Sequence, residues 1–444
     1  MTRSFGFRSF GFKACVLAAW LAACGPLAAQ EPSVEDAGRR ARAIEENNRA
    51  VEALESGRLD EALQAFERAH AASPAEAGIA ANYAEALRRR GDQSLEGRKW
   101  DAARADYQRA AELAPERSSF ALLAALVPYR RGRWKEAEQA LAAVIERHPA
   151  EAEAYLARGS CQVRLLDVRG AVETWKRGLE RAADHAGLLA ALERYGPEAA
   201  LEAELYTELT QNFAYHFHLG QSEVAREAPS LGRDLENAFL ACQRYFLDHL
   251  PRERIHVLVY ARGEFQRVTR VEGWVGGLFD GRIRVPLDRY QAEREQLAPV
   301  LRHELAHAFA HDLARGAPPT WFDEGLAQIL EGRDVAAARA RLAAGGFPAL
   351  ADLRGPFLGL GDVGRVRAAY DAGHVLTAEL ERRFGRLALR DYLERLARAR
   401  AAVDAGESEA EIDPELLFTE VFGLEFEPWV QQVSAQVRRE AERR

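Results

Sequence analysis

The stretch from Val300 to Leu313 reads VLRHELAHAFAHDL and places two histidines and a glutamate at a spacing that suits metal-dependent hydrolysis. Residues four apart on a helix point nearly the same way, so the imidazoles of His303 and His307 can reach one ion. Glu304 is rotated by about 100° from His303, too far round to be a ligand but close enough to touch a metal-bound water. Zinc lowers the pKa of such a water toward about 7, and a carboxylate can take its proton. The motif predicts one zinc ion, with Glu304 as the general base.

Two residues compete to be the third ligand. His311 lies on the same helix, about 6 Å farther along the axis than His307, and no glycine breaks that helix before Gly316. We therefore interpret His311 as a helix-face or cleft-wall residue. The stretch PPTWFDEGLA predicts a chain break and a second helix that returns Glu324 over the two histidines, which leaves a fourth position open for water. The alternative for Glu324 is a solvated carboxylate in the acidic first turn of that helix.

Three further residues are weaker candidates for roles around the metal. Tyr370, on a later helix, could donate a hydrogen bond to a developing oxyanion, with core packing as the alternative. His374 lies one turn beyond Tyr370 and could act similarly. Gln328 follows Glu324 by one turn and could steady a ligand.

The segment before the motif shows strand patterns. Asn212–Leu219 alternates apolar and polar residues, so we interpret His216 and His218 as strand-face residues and not as ligands. A helix over 231–250 and a strand over 254–260 follow. In WVGGLFDGRIRVP, Asp280-Gly281 predicts a hairpin turn, Arg282–Val285 the returning strand, and Pro286 a sheet edge at which an extended peptide could pair. The motif helix is predicted to begin near Tyr290 or Ala298.

HELAH followed by PTWFDEGLAQ resembles the gluzincin metallopeptidases, and in particular the bacterial peptidase MA-like domains, over about residues 200–440. The resemblance implies zinc on His303, His307 and Glu324, with Glu304 as general base. The segment after the motif, including Tyr370 and a helix end at 383–385, is similar as well. An aminopeptidase exopeptidase motif is not evident, so aminopeptidase specificity is not implied.

The N-terminal half carries a repeat. Alanines at a helix-crossing position are each followed four residues later by a large apolar residue, and prolines end the units at 74, 115 and 149. The last three alanines are 34 residues apart; the four pairs are Ala62 and Phe66, Ala103 and Tyr107, Ala137 and Leu141, and Ala171 and Trp175. This resembles tetratricopeptide repeats over about residues 43–185. The resemblance implies either a protein-docking surface or a rigid spacer. Gly196-Pro197 is expected to break the last helix and to mark the domain boundary.

The net charge, the N-terminal segment and the cysteines restrict the class of partner, the location and the disulfide content. The formal net charge is -8, without a dense basic tract, which argues against nucleic acid as the main partner. Residues 1–23 read as a signal peptide, with a lipobox-like LAAC that would make Cys24 a lipidated first residue. Cleavage near Ala29-Gln30, giving a soluble periplasmic protein, is the alternative. Cys161 and Cys242 are expected to be buried free thiols.

These observations predict an N-terminal all-α tetratricopeptide-repeat solenoid followed by an α+β zincin-like metallopeptidase domain, with a small sheet, active-site helices and a helical C-terminal part. The expected segments are 1–23 signal peptide, 24–42 linker, 43–195 repeats and 200–440 peptidase. The expected function is an exported zinc metallopeptidase, attached to the membrane only through its lipid anchor, that acts on protein or peptide substrates. An inactive envelope scaffold and a zinc hydrolase of non-protein amides or esters are the alternatives.

Overall fold

The computed structural model describes residues 34–218, 222–269, 278–287, 290–404 and 412–443. The predicted signal peptide, the lipidation site at Cys24 and the first part of the predicted 274–286 hairpin lie outside these ranges. Among the described residues, no helix combines the length and the apolar character needed to cross a bilayer. The chain divides into two compact units between Arg89 and Arg90.

Antiparallel helical hairpins make up the N-terminal part. The first helix begins at Val34, inside the predicted 24–42 linker. The helices are α1 Val34–Glu55, α2 Leu59–Ala72, α3 Ala77–Glu96, α4 Trp100–Leu113, α5 Ser118–Arg130, α6 Trp134–Arg147, α7 Ala152–Arg164, α8 Val168–Leu179 and α9 Ala186–Ala203. Helices α2, α4 and α6 each end two residues before the prolines at 74, 115 and 149, as the repeat pattern predicts.

Burial confirms the predicted repeat pattern. All four crossing-point alanines are fully buried, and so are the large residues that follow them by four. Glycines make room for two of the rings: a Cβ built on Gly159 would lie 2.1 Å from Nε1 of Trp175, and one on Gly91 would lie 2.6 Å from the Tyr107 ring. Three of the four repeats therefore bury an aromatic ring where two helices cross, and the third in chain order buries Leu141 there.

The predicted break at Gly196-Pro197 is wrong, because α9 continues through it to Ala203. Proline inside a helix removes one backbone hydrogen bond, but the following residues are held by tertiary contacts. The Glu198 carboxylate is buried and accepts from Arg282 at 2.9 Å and from Arg284 at 2.6 Å. This ion-pair cluster attaches α9 to the sheet that follows it.

Five strands form a mixed sheet in the order β1-β2-β3-β5-β4. They are β1 Tyr206–Leu209, β2 Phe213–Phe217, β3 Ile255–Tyr260, β4 Leu278–Phe279 and β5 Ile283–Pro286. Strands β2, β3 and β5 run parallel to one another, whereas β1 and β4 are antiparallel to their neighbours. Pro286 was predicted at an edge, but β5 lies inside the sheet and Pro286 pairs with Tyr260. Among the described residues, β4 pairs with β5 only as far as Arg284. Pro286, which has no N–H to donate, therefore has no described partner on the β4 side.

Helices cover both faces of the sheet and form the C-terminal part. They are α10 Ser222–Tyr245, α11 Arg262–Thr269, α12 Tyr290–Ala314, α13 Thr320–Glu331, α14 Val335–Gly345, α15 Leu350–Arg354, α16 Val363–Asp404, α17 Pro414–Phe422 and α18 Phe426–Glu442, with a 3₁₀ turn at Phe357–Leu360. Helix α10 begins nine residues before the predicted start at 231, and α12 begins at the predicted Tyr290. Gly385 has non-helical torsions inside α16, which matches the helix end predicted at 383–385.

One apolar core joins the sheet to the motif helix. Ile283 and Val285 of β5 pack in the same buried cluster as Leu301, Leu305 and Phe309 of α12. The start of α13 is fixed by Trp321, whose ring packs against aromatic residues of the two last helices: Phe418, Phe426 and Trp429. Cys161 and Cys242 are buried free thiols, as predicted.

Candidate metal centre

Three predicted ligands come together where α12 and α13 cross. Nε2 of His303 lies 3.5 Å from Oε2 of Glu324, and Nε2 of His307 lies 3.8 Å from the same oxygen. One donor atom from each of the three residues lies within 4.8 Å of the others. Tetrahedral zinc with ligands at about 2.0–2.1 Å separates neighbouring donor atoms by about 3.3–3.4 Å. The spacing therefore fits a zinc-sized cation with small side-chain adjustments.

The second nitrogen of each imidazole faces a carboxylate. Nδ1 of His303 lies 3.0 Å from Oε2 of Glu331, and Nδ1 of His307 lies 3.0 Å from Oδ2 of Asp323. The approach of Asp323 to His307 is close without being aligned as a hydrogen bond. A carboxylate on Nδ1 keeps the proton there and leaves the Nε2 lone pair for a metal. Both imidazoles thus present Nε2 toward Glu324.

The electrostatics of the site favour positive charge between the histidines and the carboxylates. Burial alone would lower the pKa of His303, but the nearby Glu324 and Glu331 raise it to about 10. Burial would also lower the pKa of His307, but Asp323 and Glu324 raise it to about 9. Without a metal ion, both imidazoles are therefore in the positively charged imidazolium form at neutral pH. A divalent cation would supply that positive charge in place of the protons.

The pKa values of the Glu331 and Glu304 carboxyls shift in opposite directions. Although burial would raise the pKa of Glu331, its contacts with His303 and Arg333 lower it to about 2. Glu304 is buried beside His303, and its burial raises the pKa of its carboxyl. Oε2 of Glu324 is buried and receives no hydrogen bond from the described residues. A buried carboxylate oxygen that faces two Nε2 atoms is the donor arrangement of a His₂Glu zinc site, so the residues present fit zinc.

His311 belongs to the surroundings of this centre. Its Nε2 lies 2.9 Å from Oδ2 of Asp323, which places that carboxylate between His311 and His307. His307, His311 and Asp323 also form a group with metal-ligand spacing. Neutral His307 has one lone pair, so it cannot bind zinc through Nε2 and serve a second ion through Nδ1 as well. We interpret Asp323 and His311 as outer partners of the ligand His307.

Close packing of α13 against α16 brings Tyr370 to Glu324. A Cβ on Gly325 would lie 2.1 Å from Oγ1 of Thr377 and 2.4 Å from the Gly373 carbonyl, so only glycine fits beside Glu324. Tyr370 lies one turn before Gly373, and its hydroxyl interacts with the Glu324 carboxylate. Burial, and then Glu324, raise the pKa of Tyr370, which keeps the hydroxyl protonated as a donor.

Gln328 and His374, the other two weaker candidates, lie in different surroundings. Nε2 of Gln328 donates to the Tyr370 carbonyl at 2.8 Å and to the Glu324 carbonyl at 3.3 Å, so Gln328 holds the two backbones together and does not touch the ligand carboxylate. His374 is buried in α16, and burial lowers its pKa. Within the described residues, no hydrogen bond joins His374 to the candidate ligands.

An outer strand of the sheet reaches the centre. Phe279 of β4 stacks over His307 with ring centroids 6.1 Å apart, and its ring edge meets His311 at 5.1 Å. His216 of β2 is a strand-face residue, as predicted, and hydrogen-bonds His256 of β3 at 2.9 Å. His218 follows the end of β2.

Asp323 and Glu331 were not predicted. Glu331 lies seven residues after Glu324, two turns along the same face of α13, so helical spacing could have identified it. Asp323 precedes Glu324 and is rotated by about 100° from it on α13, so its carboxylate lies between His307 and His311, four residues apart on α12. That contact depends on the crossing of α12 and α13, which no local pattern gives.

No protein-family model and no curated protein matches this chain. Similar solved structures include the Arabidopsis OM64 TPR domain, which is 18% identical and covers 27% of this chain and 98% of its own length, with a TM-score of 0.25. YrrB, described as a TPR protein with an unusual peptide-binding site, is 19% identical over 34% of this chain and 91% of its own, with a TM-score of 0.24. The MamA protein is 14% identical over 37% and 87%, with a TM-score of 0.27. The repeat hairpins are assigned from helix bounds and buried alanines, independently of these similarities.

Proposed function

We propose that this chain is a zinc-dependent hydrolase that cleaves peptide bonds, with helical repeats that dock a substrate or a partner. The observation that carries the proposal is the convergence of His303 and His307 on Glu324, at 3.5 and 3.8 Å, with a carboxylate behind each imidazole. Structural zinc sites close all four positions with protein ligands, whereas a site with three protein ligands leaves one for chemistry.

Each residue has a distinct role in this proposal. His303, His307 and Glu324 would hold the ion, and Asp323 and Glu331 would orient the two imidazoles. When bound, zinc supplies Lewis-acid activation of water and of the scissile carbonyl. Glu304 takes a proton from the attacking water and passes it to the leaving amine. The Tyr370 hydroxyl, released from the Glu324 carboxylate when that carboxylate holds the ion, would donate its hydrogen bond to the oxygen on which negative charge develops.

The position of β4 favours a polypeptide substrate over other amides and esters. It is an outer strand of the described sheet, and its Phe279 lies against His307. An outer strand offers backbone groups to an extended peptide, which can pair there and place a peptide bond beside the ligands.

The test combines zinc content with turnover of a peptide library. Wild type should bind one zinc and cleave peptides. Glu304→Gln should retain zinc and lose about 10²–10⁴-fold in turnover, because the proton acceptor is gone. Glu324→Ala should lose zinc affinity by more than the roughly 10–100-fold typical of removing an outer partner. Glu295→Gln, an exposed position on the same helix α12, is the matched control and should change neither.

The inactive scaffold remains the competing function, and the same measurements separate it. One zinc per chain without cleavage in wild type would favour a scaffold. A wild type that binds no zinc, or a Glu324→Ala variant with unchanged zinc content, would remove the ligand assignment itself.

A further inference from the structure

A cleft of about 950 Å³ lies between the turn that joins α7 to α8 and the C-terminal end of α12. Leu165 and Arg169 line it from the repeat side, and His311 and Arg315 line it from the motif helix. We propose that this cleft binds a carboxylate-bearing segment of the polypeptide substrate, beside the metal centre. The inference rests on the proposed peptidase function and names the substrate class of that site.

The cleft adjoins the metal centre without containing it. His303, Glu304 and Glu324 are not among its lining residues, whereas His311 and Phe279 are. Through Asp323, His311 connects to the ligand His307, and the Phe279 ring covers the same imidazole. A peptide whose scissile bond lies at the ligands would therefore extend its flanking residues into this cleft.

The arginines of the cleft fall into two groups. Arg252 pairs with Asp312 at 3.1 Å, and Arg282 pairs with Glu202 at 2.8 Å. The second group has no carboxylate partner within the described residues and consists of Arg169, Arg254 and Arg315. Only this second group can accept a ligand anion without breaking an ion pair.

Few charges in the cleft oppose these guanidinium groups. Glu202 and Asp312 are the partners of the paired arginines, and Asp167 accepts the Gly170 N–H at the start of α8. Glu253 is the remaining acid among the lining residues. His216 and His256 hydrogen-bond each other, and burial lowers the pKa of both, of His216 to about 4, so they add no positive charge at neutral pH. In the part of the cleft that the structure describes, three arginines without a carboxylate partner against two carboxylates without a cation partner, Asp167 and Glu253, leave an excess of positive charge that favours an acidic ligand.

Guanidinium groups recognise carboxylates with paired, charge-assisted hydrogen bonds. The volume corresponds to a site for a few residues of extended chain. The unpaired arginines come from α8, from the loop before β3 and from the residue after α12, so a segment that touches all three spans both sides of the cleft. This arrangement makes the repeat turn a wall of the substrate site.

Binding is measured by fluorescence anisotropy with zinc-loaded Glu304→Gln, so that the peptide is not consumed. The probes are two labelled peptides of equal length, one with Asp and Glu flanks and one with Asn and Gln, each with a free or an amidated C-terminus. We expect the acidic peptide to bind about tenfold more tightly, with the preference falling as salt rises. The double variant Arg169→Gln/Arg315→Gln should abolish the preference, whereas Arg177→Gln, exposed on the same helix α8, should keep it.

The outcomes separate the cleft from the catalytic proposal. Equal affinity for the two peptides, no binding of either, or an Arg177→Gln loss as large as that of the double variant would overturn the cleft assignment. A preference that depends only on the free C-terminus would support the cleft and identify the terminal carboxylate as its ligand. Acidic preference without turnover by wild type would keep the cleft and reject the peptidase.

Discussion

The repeat hairpins and the α12–α13 pair both bring helices close together, but they bury opposite kinds of side chain. At a repeat crossing, Gly159 makes room for the ring of Trp175. At the metal centre, Gly325 makes room for the backbone of α16, and the neighbouring positions are carboxylates and imidazoles. Burying apolar rings stabilises a fold, whereas burying charges opposes folding unless they are paired. Substitutions in the two regions should therefore change different measured quantities.

The largest effect on stability is expected from Trp175→Ala. The ring is buried, and its Nε1 donates to the Leu156 carbonyl at 3.2 Å. Its removal should lower the free energy of unfolding by about 3–5 kcal/mol in urea denaturation, with zinc bound per folded chain unchanged. Leu189→Ala, at an exposed position, should change it by less than about 0.5 kcal/mol. A loss of zinc from folded Trp175→Ala would mean that the repeat crossing also shapes the metal centre.

Gly325→Ala should affect both quantities. Its methyl group would meet the Gly373 carbonyl, which cannot rotate aside as a side chain can. We expect a loss of about 3 kcal/mol in unfolding free energy and weaker zinc binding, because α13 must move with Glu324. Gly345→Ala is the control, since a Cβ there meets nothing within 4 Å. Unchanged stability and zinc affinity in Gly325→Ala would show that the helices can separate without consequence.

Asp323→Asn and Glu331→Gln should act on zinc binding and on the charge balance of the buried site. Each removes the charge behind one ligand imidazole, so zinc affinity should fall about 10–100-fold by competition with a chromogenic chelator. The zinc-free protein should also lose stability at neutral pH, because each variant leaves a buried imidazolium without the carboxylate behind it. Glu295→Gln again serves as the control. Wild-type zinc affinity in both variants would reduce these carboxylates to packing residues.

The smallest effects are expected at two exposed arginines. Arg109 pairs with Glu112 on α4, and its replacement by Gln should change the unfolding free energy by less than about 1 kcal/mol. Arg333→Gln should do the same but should also weaken zinc binding a few-fold, because Arg333 holds Glu331 at 2.7 Å. Calorimetric titration of both variants checks the difference. Equal zinc affinity in the two would show that Glu331 is oriented without Arg333.

Local spacing predicted the parts of the molecule that local geometry controls. His303 and His307 are four residues apart on one helix, and the repeat alanines recur at one period, so each pattern carries its own geometry. Glu324 followed from a chain break and a returning helix, and the structure brings it to both histidines. The zinc ion and its chemistry stay predictions.

The sequence-based predictions missed, or were wrong about, features that tertiary contacts determine. Pro197 favours a helix end locally, yet α9 continues because Glu198 meets two arginines from a strand more than eighty residues away. Pro286 suggested an edge, but β4 adds on the outside of β5. Asp323 serves two histidines of another helix, a relation visible only once α12 and α13 cross.

The continuous helix α9 limits where this protein can be divided. Its first turns pack with the last repeat, and its last turns place Glu198 and Glu202 against Arg282, just before β5, and Arg284 within it. Starting the chain after Ala203 would take Glu198 and Glu202 away from the buried Arg282 and leave Arg284 only Asp280. A buried pair that loses one partner costs about 3–5 kcal/mol. Grafting these repeats onto another protein, or expressing the C-terminal part alone, must therefore keep α9 with the sheet. The last repeat helix is at the same time the first helix of the fold that holds the candidate metal centre.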